Sequence, residues 1–135
     1  MKVRIFYHHT DAGGVVYYAN YLKFLEEART EYFEQHGISI TDLIKKGVLF
    51  VVARQEVDYK APAFYGDTLE VISRITDCGA AKVEFSNEIR NQKGELVSLA
   101  KTVLVCVQGN LKPRPLPEEI RAILKMSRRP GNLSK

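Results

Sequence analysis

Apolar and polar positions change rhythm several times along this chain. Val3, Ile5 and Tyr7 alternate with Lys2, Arg4 and Phe6, a period of two that predicts a short strand. A turn around Asp11–Gly14 ends it. From residue 20 to 35 the spacing becomes helical: Tyr21, Phe24, Leu25, Ala28, Tyr32 and Phe33 recur on one stripe, with Glu27, Arg29, Glu31 and Glu34 mostly elsewhere. Asn20 reads as the N-cap and Gly37 as the stop. The stripe is broad, so a largely buried helix is expected. Residues 38–46 predict a short helical turn closed by Gly47.

The period of two then returns. Residues 48–59 predict one long strand, ended by Ala61-Pro62-Ala63 and followed by a Gly66-Asp67 turn. Residues 69–77 predict a strand, and Cys78-Gly79-Ala80 a turn. In residues 82–90, Val83, Phe85 and Ile89 alternate with Lys82, Glu84, Glu88 and Arg90, so one face belongs to the core. Asn91-Gln92-Lys93-Gly94 predicts a hairpin turn. Residues 95–108 are apolar on both faces for much of their length, as in a central strand. After Pro113, Pro115 and Pro117, residues 118–126 predict a terminal helix with Pro117 near its start.

One long buried helix and five mostly antiparallel strands, joined largely by short turns, predict an α+β domain whose sheet curls around the helix. The 135 residues suit one domain with a real core, here residues 1–126. The basic stretch 127–135 reads as a frayed tail. The formal net charge of +4 permits nucleic acid, acidic membrane or phosphorylated ligands without choosing among them. No nucleic-acid motif accompanies the charge. Cys78 and Cys106 are far apart, with no metal-like spacing, and read as reduced thiols. The N-terminal apolar run is too short for a signal peptide, and no segment reaches transmembrane length. A cytoplasmic protein is expected.

On local sequence alone Asp11 is a turn residue, because Asp and Gly favour turns for backbone reasons. The surrounding run changes that. Tyr7-x-x-Thr10-Asp11-Ala12-Gly13-Gly14-Val15-Val16-Tyr17-Tyr18-x-Asn20-Tyr21, followed by Glu27-Ala28-Arg29, resembles the hotdog-fold acyl-CoA thioesterases of YbgC type, in the 4-hydroxybenzoyl-CoA thioesterase family. A second match lies at Val57-Asp58-Tyr59-x-Ala61-Pro62-Ala63-x-x-Gly66-Asp67-x-Leu69. The resemblance covers residues 3–108. It implies a hotdog fold, with a five-stranded antiparallel sheet wrapped around a long central helix.

It also implies a chemistry. Thioester hydrolysis needs an attacking group, or a base that activates water, and something to hold the charge that develops on the carbonyl oxygen. The resemblance makes Asp11 the carboxylate, as nucleophile or general base, and the backbone N–H of Tyr18 the polarising donor. Gly13 and Gly14 let the backbone approach a ligand, and Val15, Val16 and Pro62 join them in binding substrate. Lys60, Lys82, Arg90, Lys112 and Arg114 are candidates for the coenzyme A phosphates, each otherwise a solvated surface charge. No cofactor is implied beyond the coenzyme A of the substrate. A homodimer or homotetramer is implied, with acyl carrier protein as a further partner under the alternative of a non-catalytic acyl-binding module. Many relatives carry an acidic residue where this chain has His8 and His9. Adjacent residues of a regular strand face opposite ways, so that pair is not expected to chelate a metal. One of the two could face Asp11 and favour its charged form.

Overall fold

The computed structural model describes residues 1–128. Its elements run β1 (Lys2–Arg4), α1 (Tyr18–Gln35), α2 (Ile40–Lys45), β2 (Leu49–Tyr59), β3 (Thr68–Cys78), β4 (Lys82–Arg90), β5 (Leu96–Val107) and α3 (Glu118–Ser127). The strands form one antiparallel sheet in the order β1-β3-β4-β5-β2. This is the expected α+β architecture, and β5 lies inside the sheet as its two-sided apolar pattern requires. β2 lies at an edge. No helix among the described residues is long and apolar enough to cross a membrane.

The sheet's inner face and α1 share the core. Val83, Phe85 and Ile89 of β4 point inward with Leu69, Val71 and Ile75 of β3, all buried. Around the first half of α1, Tyr21, Phe24, Leu25 and Ala28 pack with Ile5, Ala63, Leu69 and Val97. Around the second half, Phe33 meets Leu43, Phe85 and Leu104, while Leu116, Ile120 and Leu124 close that end. Each fully buried side chain of Leu25 or Phe85 type contributes roughly 1.5–3 kcal/mol. A one-residue slip of β4 would turn Val83, Phe85 and Ile89 outward together, so its register is tightly specified. Asn87 is the polar exception on that face, and its amide donates to Ser73 Oγ at 2.7 Å. Cys78 and Cys106 are buried, unpaired thiols, and burial raises the pKa of both.

Three local expectations are corrected. Tyr7–His9 is a single 3-10 turn and not the end of a strand. Its donors and acceptors are used locally: Thr10 Oγ1 donates to Tyr7 O at 2.7 Å, and the Phe6 N–H donates to His9 Nδ1 at 2.9 Å. Such bonds compete with a strand ladder. Asn20 is not the N-cap. The cap is Tyr17, and the Asn20 side chain instead donates to His9 O at 2.8 Å, tying the first turn of α1 to the preceding loop. Ser127 belongs to α3 and not to the tail, whose residues 129–135 lie outside the described region. The short second helix takes its cap from Ser39, whose hydroxyl accepts the Asp42 N–H at 3.2 Å.

Candidate active site

Asp11 stands at the head of a closed loop. Thr10 and Val16 bridge across its base. Inside it the Asp11 N–H donates to Val15 O at 2.9 Å and the Gly14 N–H to Asp11 O at 3.0 Å. The Asp11 carboxylate accepts the Gly13 N–H through Oδ1 at 2.8 Å. Gly14 has φ +81°, a left-handed conformation that costs glycine nothing. A Cβ on Gly13 would lie 3.1 Å from Asp11 Oδ1. The glycine pair therefore sets both the turn and the position of the acid.

The loop then delivers the chain into α1. The Val16 N–H donates to Ala63 O at 2.8 Å, and the Tyr17 N–H to His9 O at 2.9 Å. Ala63 is fully buried, so the Ala61-Pro62-Ala63 step acts as the floor of the motif. Tyr18 is the first residue of α1, where the N–H has no intrahelical acceptor and carries part of the positive end of the helix dipole. Tyr17 supplies no side-chain cap to that end. The helix start is thus an available donor on the chain that carries Asp11.

Aromatic rings frame this end. Tyr17 and Tyr18 lie 4.8 Å apart by ring centroid, and Tyr59 lies 6.3 Å from Tyr18 and 5.6 Å from Tyr21. The Tyr59 hydroxyl reaches Tyr18 O at 3.5 Å. The Tyr17 phenol has its pKa raised by a hydrogen bond with the Tyr18 side chain and by that neighbour's charge, with smaller contributions from burial and from Asp11. Burial, with Tyr59 nearby, pushes the Tyr21 phenol up to about 12, so it remains a neutral donor. Tyr17, Tyr18 and Tyr59 remain substantially exposed, as do Phe64 and Tyr65. The sequence pattern contained Tyr17 and Tyr59 within its motifs but gave no reason to join them to Tyr18. That grouping arises from the meeting of α1 and the end of β2.

The sequence-proposed residues separate into two groups. Gly13, Gly14, Val15 and Val16 are on the Asp11 loop, and Val15 bridges to Phe64. Lys60 and Pro62 lie on the adjoining segment, where the Lys60 N–H donates to Val97 O at 2.8 Å. Lys82 sits elsewhere. It opens β4 opposite Val105, toward the end of the sheet where Lys112 and Arg114 also lie. Arg90 is engaged by the Glu88 carboxylate and donates to Gly94 O at 2.7 Å. Lys82 is thus at the far end of the sheet from Lys60, whereas Arg90, opposite Leu96, is at the same end as Lys60, whose N–H meets Val97 O.

His8 and His9 are in the 3-10 turn, so the argument from strand alternation does not hold for them. Their rings lie 4.0 Å apart. His9 packs edge-on against Phe24 at 5.3 Å, and its Nδ1 accepts the Phe6 N–H. That bond requires an unprotonated Nδ1. Burial lowers the His9 pKa, with His8 and Lys23 adding to the shift and Glu27 opposing it.

The loop and helix start correspond to known proteins. A family model described as the thioesterase-like superfamily matches residues 7–124. The acyl-CoA thioester hydrolase YbgC of Escherichia coli O157:H7 is 42% identical over 124 residues, covering 91% of this chain and 92% of its own. The acyl-CoA thioesterase YbgC of Haemophilus influenzae is 37% identical over 123 residues, covering 89% of each chain. Among solved structures, Slr0204, a 1,4-dihydroxy-2-naphthoyl-CoA thioesterase from Synechocystis, superposes with a TM-score of 0.85 at 26% identity over 93% of both chains. With the family model spanning the acid loop, α1 and strands β2 to β5, the chain belongs to the thioesterase-like superfamily and is a thioester hydrolase of hotdog fold.

Proposed function

We propose that the protein hydrolyses the thioester of an acyl-CoA to the free acid and coenzyme A, with Asp11 as the reacting carboxylate. Either the carboxylate attacks the carbonyl carbon, or it takes a proton from the water that does. In both versions water is added across the C–S bond, giving the acid and the thiol. The N–H of Tyr18 holds the carbonyl oxygen as its negative charge develops, aided by the helix dipole. Gly13 fixes the acid, and the Gly14 turn leaves room for the thioester arm. The reaction uses side-chain and backbone groups and needs no cofactor beyond the coenzyme A carried by the substrate.

The observation that carries this reading is the closed loop between Thr10 and Val16, with an oriented carboxylate at one end and an uncapped helix start at the other. Lys60, beside the floor segment, and Arg90, at the same end of the sheet, are the named cations placed for a coenzyme A phosphate. Lys82, at the far end of the sheet, reaches the same substrate only if a neighbouring subunit brings it there. That arrangement fits a homodimer or tetramer with a shared site. Steady-state release of thiol from a panel of acyl-CoAs tests the proposal. Turnover that depends on Asp11 supports it. Tight acyl-CoA binding without thiol release would establish the alternative, a non-catalytic acyl-binding module.

A further inference from the structure

Asn20 occupies the third position of α1 and is half-buried. Alanine there would favour the helix, since asparagine is the poorer helix former. Nor does the residue cap the helix, because the cap is Tyr17. Its backbone N–H donates to Tyr17 O at 2.9 Å, and its side-chain Nδ2 donates to His9 O at 2.8 Å. The same His9 carbonyl accepts the Tyr17 N–H at 2.9 Å. One oxygen thus receives two donors: the residue just before Tyr18, and the first turn of the helix that Tyr18 opens. His9 stands two residues before Asp11, and Asn20 two residues after Tyr18. Among the described residues, the Asn20 amide makes the one side-chain hydrogen bond between α1 and residues 7–14.

The two ends of the site are anchored differently. The start of α1 is held by Tyr21, Phe24, Leu25 and Ala28 in the core. Asp11, Gly13 and Gly14 are exposed. Beyond the Thr10–Val16 bridge, the far arm of their loop is fixed by the Val16 N–H to Ala63 O. The near arm, which carries Asp11, meets α1 through His9. The His9 ring packs edge-on against Phe24 at 5.3 Å, but a ring contact is less directional than a hydrogen bond. The bond from Asn20 holds the His9 backbone itself. Attack and charge stabilisation must converge on one carbonyl group, so the acid and the donor have to keep a fixed separation.

We propose that Asn20 is a positioning residue for the hydrolysis. Its amide, acting through His9 O, sets the distance between the Asp11 carboxylate and the Tyr18 N–H. This role rests on the proposed reaction, in which those two groups act on the same thioester.

Steady-state thiol release and thermal melts of Asn20 variants test it. Asn20→Ala removes the amide and orphans nothing, since His9 O keeps the Tyr17 N–H. It is expected to lower kcat by about 10–10²-fold, the order of loss that a displacement of about 1 Å produces, with KM and Tm near wild type. Asn20→Asp also lacks the donor, keeps the shape and suits the first turn of a helix, and is expected to be at least as slow. Asn20→Gln keeps the amide on a longer arm and is expected to recover part of the loss. The deciding measurement is the cycle with Tyr18→Pro. Once the Tyr18 N–H is gone its placement no longer matters, so Asn20→Ala is expected to cost no more than about twofold in that background. Wild-type kcat in both Asn20→Ala and Asn20→Asp would overturn the proposal. So would an equal loss from Asn20→Ala with and without the Tyr18 donor, or a lowered Tm with unchanged kcat, which marks a purely structural bond. In each of these results Tyr18→Pro alone is still slow and the proposed reaction stands. Tyr18→Pro at wild-type kcat is the opposite case: it removes the donor from the reaction, and this proposal with it.

Discussion

The carboxylate of Asp11 accepts the N–H of Gly13 at 2.8 Å through one oxygen, and the other has no protein hydrogen bond among the described residues. One oxygen anchors the acid and the other is available to react. Asn at this position keeps an anchoring carbonyl oxygen but can neither attack nor accept a proton usefully. Asp11→Asn is therefore expected to fold and bind acyl-CoA normally while turnover falls by about 10²–10⁴-fold. Thiol release and a thermal melt, measured together, check this. Wild-type turnover in the variant would remove Asp11 from the mechanism.

The same contact makes Gly13 sensitive. A methyl group there would sit 3.1 Å from Asp11 Oδ1, so the carboxylate or the turn must shift by tenths of an ångström. Gly13→Ala is expected to lower kcat by up to about 10²-fold, since misplacing a reacting group by about 1 Å has that effect. Gly14→Ala is a different case. Nothing lies within 4 Å of its added methyl, but φ is +81°. Its cost is conformational, about 1–2 kcal/mol, and is read as a lowered Tm. If the Gly13 variant loses stability but no activity, the glycine serves the turn and not the acid.

Tyr18 separates backbone from side chain. Its place at the first position of α1 is one where proline is tolerated, because the N–H has no intrahelical partner. Tyr17 already has φ −62° and ψ 128°, the conformation that a following proline prefers. Tyr18→Pro thus removes the proposed donor with little strain, and a loss of about 10²–10³ in kcat is expected. Tyr18→Ala and Tyr18→Phe keep the N–H and are expected to stay within about tenfold of wild type. A Phe variant as slow as Asp11→Asn would identify the phenol as the acting group.

These tests depend on features that were unequally legible. The long helix and the strands after residue 48 follow from periods of 3.6 and 2 over many residues, and inward residues such as Leu25, Phe85 and Ile89 fall where those periods put them. The Asp11 loop was marked by its residue types and their order. What failed was short-range. The run Val3 to Tyr7 alternates like a strand, but the Phe6 N–H donates to His9 Nδ1 and the Thr10 hydroxyl to Tyr7 O, and these local bonds go with a 3-10 turn. Asn20 looks like a cap and is instead a donor to His9 O. Arg29 shared the wheel with surface charges such as Glu31 and Glu34, and only the packing of α1 against β5 turned it inward. Periodicity describes a face; it does not say which side chain reaches across the core.

His9 gives a pH dependence of stability. Its folded pKa lies below the ordinary value of 6.5, with burial as the main cause and His8 next. The unfolded chain therefore binds the proton more readily between the two values, and stability falls as pH drops through 6.5 toward the folded pKa. The physical event is loss of the Phe6 N–H to Nδ1 bond, because a protonated Nδ1 cannot accept. Facing groups act in both directions: His8 and Lys23 oppose protonation, while Glu27 favours it. Thermal melts of wild type and His9→Asn across the mildly acidic range check this. The wild type is expected to lose Tm as the pH falls, and the variant to show a flatter curve. Parallel curves would place the sensitivity elsewhere.

Assembly is the last expectation. β2 is an edge strand of 11 residues, paired with β5 on one side and unpaired on the other among the described residues. An edge of that length presents a row of backbone donors and acceptors, and natural proteins cover or blunt such edges. Here part of it is apolar, and Val52 is 50% exposed. The aromatic end at Tyr59 is equally open, at 49%. Lys82 lies at the other end of the sheet from Lys60 within one protomer. A twofold pairing of β2 with its copy would cover both edges by the same contact and bring one subunit's residues toward the other's acid loop. A homodimer is therefore expected at micromolar concentration, and two dimers can pack as a tetramer. Val52→Asp places a charge on that edge and is expected to shift the protein toward monomer with a matching loss of activity. Sedimentation equilibrium and thiol release across a dilution series check the two together. A stable monomer with full activity would exclude a shared site.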